Sequence, residues 1–197
     1  MKKIGILGGT FNPVHLGHIY LAKSFYNALN LDKVLIIPDA TPPHKTLSAG
    51  ASDEDRMKML SLAIKDFPFM ELSDWEIKQG GKSYTYFTLN HFKKDGTKLY
   101  FLTGSDMFLS LESWYNYPEI MTLATFCAVA RNEEDKLLLL KKQEFFKEQG
   151  YKTEILDIAP LEISSSEIRE KTRKNEKIST FLPSAVAEYI AERKLYV

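Results

Sequence analysis

The stretch Ile4-Gly5-Ile6-Leu7-Gly8-Gly9-Thr10-Phe11-Asn12-Pro13-Val14-His15-Leu16-Gly17-His18 decides how this 197-residue chain is read. A short apolar run carrying β-branched Ile4 and Ile6 predicts a buried strand, and the Gly8-Gly9 pair lets the chain turn sharply and present backbone N–H groups. Past Pro13, the apolar positions Leu16, Ile19, Tyr20, Ala22, Tyr26 and Leu29 recur at helical spacing. His15 and His18 therefore lie on or just before the first turn of a helix, where both imidazoles face the mouth of the loop. A helix N-terminus carries partial positive charge and free N–H donors, so this loop and its two histidines suit phosphate oxygens.

Working outward, Lys33-Val34-Leu35-Ile36-Ile37-Pro38 reads as a second buried strand stopped by proline, and strand, helix, strand at this spacing predicts a parallel βαβ unit. The segment from Asp39 to Ser52 has no periodicity, leaves the carboxyl end of a strand, and carries Lys45, a candidate phosphate cation. Ser52 or Asp53 caps a helix to about Lys65 with Met57, Leu60 and Ile64 as its apolar stripe, and Arg56 either reaches a ligand or pairs with Asp53. A third strand begins at Phe69, and the chain continues through Asp74 to Lys78 into a Gly80-Gly81 turn. Ser83-Tyr84-Thr85 then opens a helix through Phe92, where hydroxyls and N–H groups suit the carboxylate of a small aromatic acid.

Lys98 to Thr103 is a fourth strand, followed by Gly104-Ser105-Asp106-Met107, in which Asp106 caps the next helix or holds a ribose hydroxyl. A fifth strand, Thr125 to Ala130, ends at Arg131, a candidate phosphate contact. Glu133 to Gln149 is helical with Leu137, Leu140 and Phe145 apolar and Gly150 placed to end it. Thr153 to Ile158 is a sixth strand. Ser164 and Glu167 match a capping box, and Pro183 to Ile190 is a closing amphipathic helix. This order predicts an α/β, Rossmann-like, doubly wound and mostly parallel sheet with helices on both faces. It also predicts one domain over 1–197, its helical C-terminal part beginning near 160.

Lys plus Arg number 26 and Asp plus Glu number 26, so the formal net charge is zero, which argues against a nucleic-acid or anionic-membrane binder. The single cysteine, Cys127, lies in an apolar run and reads as a small buried hydrophobe. No segment has the form of a signal peptide or a membrane span, so a cytoplasmic location is expected.

Gly8 to His18 resembles the G-x-F-D-P-x-H-x-G-H signature of the nucleotidyltransferase superfamily that also includes class I aminoacyl-tRNA synthetases. Ile163-Ser164-Ser165-Ser166-Glu167-Ile168-Arg169 resembles its second signature, I-S-S-T-x-I-R. Asn12 stands where the general pattern has Asp, and Ser166 where Thr is common. Ser83-Tyr84-Thr85 after a glycine turn, and Gly104-Ser105-Asp106-Met107 with Trp114-Tyr115 downstream, are similar to the bacterial nicotinate-nucleotide adenylyltransferases.

The resemblance implies transfer of AMP from ATP to nicotinate mononucleotide in NAD biosynthesis, by in-line displacement at the α-phosphorus. It implies catalytic roles for His15, His18 and Arg169, and an ATP site of Gly8, Gly9, Thr10, Phe11, His15, His18, Gly104, Asp106, Ser164, Ser165 and Arg169. It places Lys45, Ser83, Tyr84, Thr85, Asp106, Trp114 and Arg131 at the acceptor, with Trp114 stacked on the pyridine ring. Magnesium (Mg2+) would accompany ATP on its phosphate oxygens; neither histidine is expected to ligate zinc, and no protein metal ligand is named. Small molecules are the expected partners, with no nucleic acid and no membrane; a homo-oligomer is left open. The rivals are another phosphate acceptor, such as nicotinamide mononucleotide or phosphopantetheine, and a nucleotide sensor without turnover. A transfer-RNA synthetase is excluded by the lack of an anticodon-binding domain or basic tract.

Overall fold

The computed structural model of the chain describes residues 1–41, 50–159 and 161–197. The run that opens the sequence forms β1 (Lys2–Gly9), and α1 (Leu16–Leu29) carries the chain to β2 (Lys33–Pro38). The chain continues through α2 (Asp53–Ile64), β3 (Met70–Leu72), α3 (Trp75–Gln79) and α4 (Thr85–Phe92). β4 (Thr97–Gly104) is followed by α5 (Ser105–Leu109), a 3-10 turn at Leu111–Ser113, α6 (Tyr117–Leu123) and β5 (Ala124–Val129). α7 (Glu133–Glu148), β6 (Thr153–Leu156), α8 (Ser165–Arg173) and α9 (Ser184–Arg193) complete the order.

The strands form one six-stranded sheet in the order β3-β2-β1-β4-β5-β6. Every pairing is parallel, so the expected mostly parallel sheet is wholly so among the described residues. β1 is central, with Ile4 opposite Lys33 of β2 and Leu99 of β4. Covered on both faces, it is continuously apolar and buried from Ile4 to Leu7 instead of alternating. Leu7, Val34, Ile36, Leu102 and Cys127 pack on one face with Phe25 of α1, Leu60 of α2, Ile168 of α8 and Val186 of α9. Ile6, Ile37, Phe101 and Phe126 pack on the other with Leu89 of α4, Phe108 of α5, Ile120 of α6 and Phe146 of α7. Cys127 is fully buried, and burial pushes its thiol pKa up.

Helix ends follow their local chemistry. Ser52 accepts the Asp55 N–H while the Asp55 carboxylate accepts the Ser52 N–H, and Gly150 ends the α7 segment at φ +81°. The structure corrects several finer expectations. The segment after Asp74 coils into α3, and α6 precedes β5 where no helix was expected. β6 stops at Leu156. In α2 the buried apolar side chains are Met59, Leu60, Ala63 and Ile64, with Met57 only half-buried. In α7 the buried residues are Leu139 and Phe146, whereas Leu137, Leu140 and Phe145 face solvent.

Arg56 is 1% exposed. Its Nη1 donates to the Thr10 carbonyl at 2.8 Å and lies 3.5 Å from Asp39 Oδ1; its Nη2 donates to the Asp39 carbonyl at 2.6 Å and to Asp53 Oδ1 at 2.7 Å. Of the two readings of Arg56, the structure therefore supports pairing with Asp53, and adds a clamp between the ends of β1 and β2. Arg56→Met takes the guanidinium from a buried carboxylate and two carbonyls, and should lower the unfolding free energy by about 3–5 kcal/mol. Urea denaturation at neutral pH measures this, and a loss under about 1 kcal/mol would mean that the clamp carries little of the fold.

Candidate active site

The sheet reverses its winding between β1 and β4, and open α/β sheets bind ligands beyond the carboxyl ends of the strands at such a point. Leu7 lies opposite Leu102, so Gly9 and Gly104, each two residues further on, end their strands side by side. Past Gly9 the chain turns inward. Phe11 takes φ +48° and is 2% exposed, its ring beneath Gly9, where an added Cβ would lie 3.3 Å from it. Only the backbone of Phe11 is therefore open to a ligand. The Thr10 hydroxyl donates to Asp39 Oδ2 at 3.0 Å.

His15 occupies the N-cap of α1 and His18 its first turn. The His15 backbone N–H donates to His18 Nδ1 at 3.2 Å, so the proton of the neutral His18 ring sits on Nε2. The two rings stack with centroids 3.7 Å apart, and Phe11 packs edge-on against His18 at 4.9 Å. Burial lowers the His15 pKa to about 4; burial and then the neighbouring His15 hold His18 well below the ordinary value. The loop thus presents two neutral imidazoles. Gly17 makes room for this arrangement, because a Cβ there would lie 3.0 Å from His15 Nδ1 and 3.1 Å from Cε1.

The second signature meets the first. Ser164 caps α8 by accepting the Glu167 N–H at 3.1 Å. Ser165 Oγ donates to the Pro13 carbonyl at 2.9 Å, and Arg169 Nη1 donates to the Asn12 carbonyl at 2.7 Å. Arg169 Nη2 also donates to Ser166 Oγ at 3.1 Å. Tyr196 reaches the same loop, its phenol donating to Asn12 Oδ1 at 2.6 Å. Asn12 is 3% exposed, and an amide oxygen accepts that phenol without burying a charge. The Leu16 N–H, at the start of α1, is taken by the Phe181 carbonyl at 2.9 Å.

At the stretch expected to meet the acceptor, Ser83 Oγ accepts the Ala40 N–H at 2.9 Å, Thr85 begins α4, and the Tyr84 ring lies 4.8 Å from that of Tyr115. Trp114 stands perpendicular to Phe101 and Phe126, with its Nε1 buried and without a hydrogen-bond partner among the described residues. Asp106 does not cap α5, whose N-cap is Gly104; its carboxylate pairs instead with Arg131 Nη2 at 2.6 Å. Lys45 lies outside the described residues. Hydroxyls, guanidinium, imidazoles and helix N-termini make this edge a surface of donors, which fits phosphate oxygens better than a bare cation. Among the described residues, no group of three or more His, Cys, Asp or Glu could hold a metal ion, and no helix is long and apolar enough to cross a membrane.

Three residues of the site's framework, Gly17, Asp39 and Tyr196, had no assigned part in the sequence reading, and Arg56 had only the choice between a ligand and Asp53. Gly17 stood within the motif; Asp39, Arg56 and Tyr196 act through contacts for which no local pattern exists.

The family model for cytidylyltransferase-like proteins matches residues 6–171, from within β1 to within α8, and so spans both loops. The chain belongs to that family. Among its relatives is a probable nicotinate-nucleotide adenylyltransferase of Clostridium botulinum (strain Alaska E43 / Type E3), 37% identical over 197 residues, with 100% of this chain and 98% of the relative covered. A protein of the same name from Clostridium perfringens (strain SM101 / Type A) is 40% identical over 200 residues, again covering 100% and 98%. Among solved structures, the Plasmodium falciparum nicotinic acid mononucleotide adenylyltransferase complexed with NaAD superposes with a TM-score of 0.79 at 23% identity, over 100% of this chain and 98% of that one. At that identity the likeness is one of fold.

Two outcomes follow from the histidine geometry. Gly17→Ala should leave the fold intact but displace the His15 ring, lowering kcat/KM at least about tenfold, as a misplaced positioning group does; an unchanged kcat/KM would mean that the ring tolerates the methyl. Both histidines have folded pKa values below the unfolded value of about 6.5. Above that pH they are neutral in both states. As pH falls from about 6.5 toward about 4, the unfolded chain binds protons that the folded chain refuses, so stability drops by up to ~1.4 kcal/mol per unit for each histidine. Urea midpoints between neutral and acidic pH should fall less steeply for His15→Gln than for the wild type, and equal slopes would place the acid sensitivity elsewhere.

Proposed function

We propose that this chain is a nicotinate-nucleotide adenylyltransferase, transferring AMP from ATP to nicotinate mononucleotide to give nicotinate adenine dinucleotide and pyrophosphate. The observation that carries this reading is the bonding of Ser165 and Arg169 to the carbonyls of Pro13 and Asn12, which joins the two signature stretches into one phosphate-facing edge. Full-length relatives of that name support the choice of acceptor. The same proposal takes 1–197 as one domain, in keeping with the packing of α9 on α2.

The reaction asks for no activated side chain. The 5′-phosphate of the acceptor is already an anion; one of its oxygens attacks the α-phosphorus, the bond to the bridging oxygen breaks, and pyrophosphate leaves. Catalysis is then alignment and charge stabilisation. His18, protonated on Nε2 and held by the His15 N–H, donates to an α-phosphate oxygen as charge builds there. His15 supports it, and the N-terminus of α8 with Arg169 takes the departing phosphates. Gly8, Gly9, Thr10 and the backbone of Phe11 allow the nucleotide close approach, with Gly104 and Asp106 beside the ribose. Tyr84, Thr85, Trp114 and Arg131 face the pyridine nucleotide. Magnesium would supply charge neutralisation on the nucleotide's phosphates, held by those phosphates and not by a cluster of protein ligands, since no group of three or more His, Cys, Asp or Glu stands ready for it among the described residues.

Pyrophosphate release with ATP and magnesium, measured in parallel with nicotinate mononucleotide, nicotinamide mononucleotide and phosphopantetheine, tests the reading. Preference for the acid supports it; preference for another acceptor overturns the pyridine half, and silence with all three overturns the whole. His18→Ala should lower kcat roughly 10²–10³-fold, the loss typical of one transition-state donor, and wild-type turnover in a folded variant would remove His18 from the mechanism.

A further inference from the structure

Tyr196, past α9, is 5% exposed and takes φ +65°, a left-handed backbone that a bulky side chain rarely adopts. Such a conformation persists only where the surroundings hold it, which turns attention to what the side chain reaches. The ring lies against Gly50, where an added Cβ would come within 2.7 Å of Tyr196 Cδ1. Its phenol donates to Asn12 Oδ1 at 2.6 Å, a buried bond across 184 positions. Burial pushes the phenol's pKa up, so the group remains a donor well above neutral pH.

Asn12 is where this contact meets the site. Its side chain accepts from Tyr196 and its backbone carbonyl accepts from Arg169 Nη1 at 2.7 Å, so one residue joins the segment past α9 to α8. The residue before it, Phe11, is held at φ +48°, and the carbonyl of Pro13 after it accepts from Ser165 Oγ at 2.9 Å. A loop that contains a strained residue keeps its shape only through bonds that over-determine it, and the Tyr196 bond is one of these. Packing of the ring requires no hydroxyl, since phenylalanine would fill nearly the same space. The hydroxyl is what fixes the Asn12 side chain, and with it the direction of the carbonyl that Arg169 meets.

We propose that Tyr196 is a positioning residue for the nucleotide: through its bond to Asn12 it sets the carbonyl that holds Arg169, and so aims the guanidinium at the phosphates. The inference rests on the proposed adenylyl transfer and concerns only its ATP side. Tyr196 acts through Asn12 and Arg169 and not by contact with the reacting atoms. A guanidinium needs aim as well as charge, because its planar fork meets phosphate oxygens in a fixed geometry. A tilt of that fork weakens alignment of the triphosphate and leaves the acceptor's own contacts unchanged.

The test is steady-state kinetics on Tyr196→Phe, Arg169→Lys and the double variant, with each substrate varied at saturation of the other. Tyr196→Phe keeps the ring and removes the donor. It should lower kcat/KM for ATP about tenfold, the ratio that corresponds to one lost hydrogen bond, while KM for nicotinate mononucleotide stays within about twofold. Arg169→Lys keeps the charge but not the fork. In that background Tyr196→Phe should change kcat/KM for ATP by less than about twofold, because the two residues act in series, whereas a merely structural tyrosine would lose the same factor in both backgrounds. Asn12→Leu, which removes the acceptor of the bond, takes the place of Tyr196→Phe if that variant fails to fold. A wild-type kcat/KM for ATP in the folded variant, equal rises in KM for both substrates, or an undiminished loss in the Arg169→Lys background would overturn the inference alone. Silence of the wild-type chain with ATP and nicotinate mononucleotide would overturn the functional reading and the inference with it.

Discussion

A guanidinium with almost no contact with water must find its partners inside the protein, and the partners of Arg56 determine where the site's walls stand. Its two nitrogens fasten the Thr10 carbonyl, just past β1, to the Asp39 carbonyl, just past β2. Thr10 returns a bond to the Asp39 carboxylate. The next residue, Ala40, donates its N–H to Ser83 Oγ, just before α4. The loop after β1 and the turn before α4 are thus tied to one another through the end of β2. Remove the guanidinium and the strand ends lose their common reference.

The second organising feature is electrostatic restraint. The loop after β1 keeps its two histidines neutral, because a proton on either ring would be both desolvated and close to the other. Neutral donors and a helix N-terminus offer an anion hydrogen bonds without a fixed pair of buried cations. Gly17 is the steric condition for this, and Asn12 follows the same economy of charge by accepting a phenol through an amide.

Much of this was legible in the residues, and what was not has identifiable causes. β1, its glycine turn and the start of α1 combine an apolar run, turn residues and helical spacing, three signals that agree. The caps depend on residues three apart: of Ser52 and Asp53, both offered by the sequence, Ser52 takes the cap, and Ser164 accepts the Glu167 N–H. α3 and α6 span five and seven residues, too short for a period to show. The run Leu137-Leu138-Leu139-Leu140 covers every side of a helix, so only packing could reveal that Leu139 is the one turned inward. Arg56 next to Asp53 looked like a local pair because its decisive contacts lie 46 and 17 positions away. The assembly of one site from loops far apart in the chain was readable only through paired signatures, whose meeting point the sheet order then supplied.

Among the described residues, the bonds that hold the loop after β1 join positions far apart in the chain: Ser165 to Pro13 spans 152 positions, Arg169 to Asn12 157, and Tyr196 to Asn12 184. Contacts of such separation carry the largest loop-closure entropy and gain it back only after the intervening segments are ordered. Affinity for nucleotide is therefore a late property of folding. A chain with its parallel sheet assembled but α8 and α9 undocked would have a core and strands, yet little hold on a phosphate. Ligand binding in this architecture reports on the whole fold at once, since the last segments to dock are the ones that hold the first loop in shape.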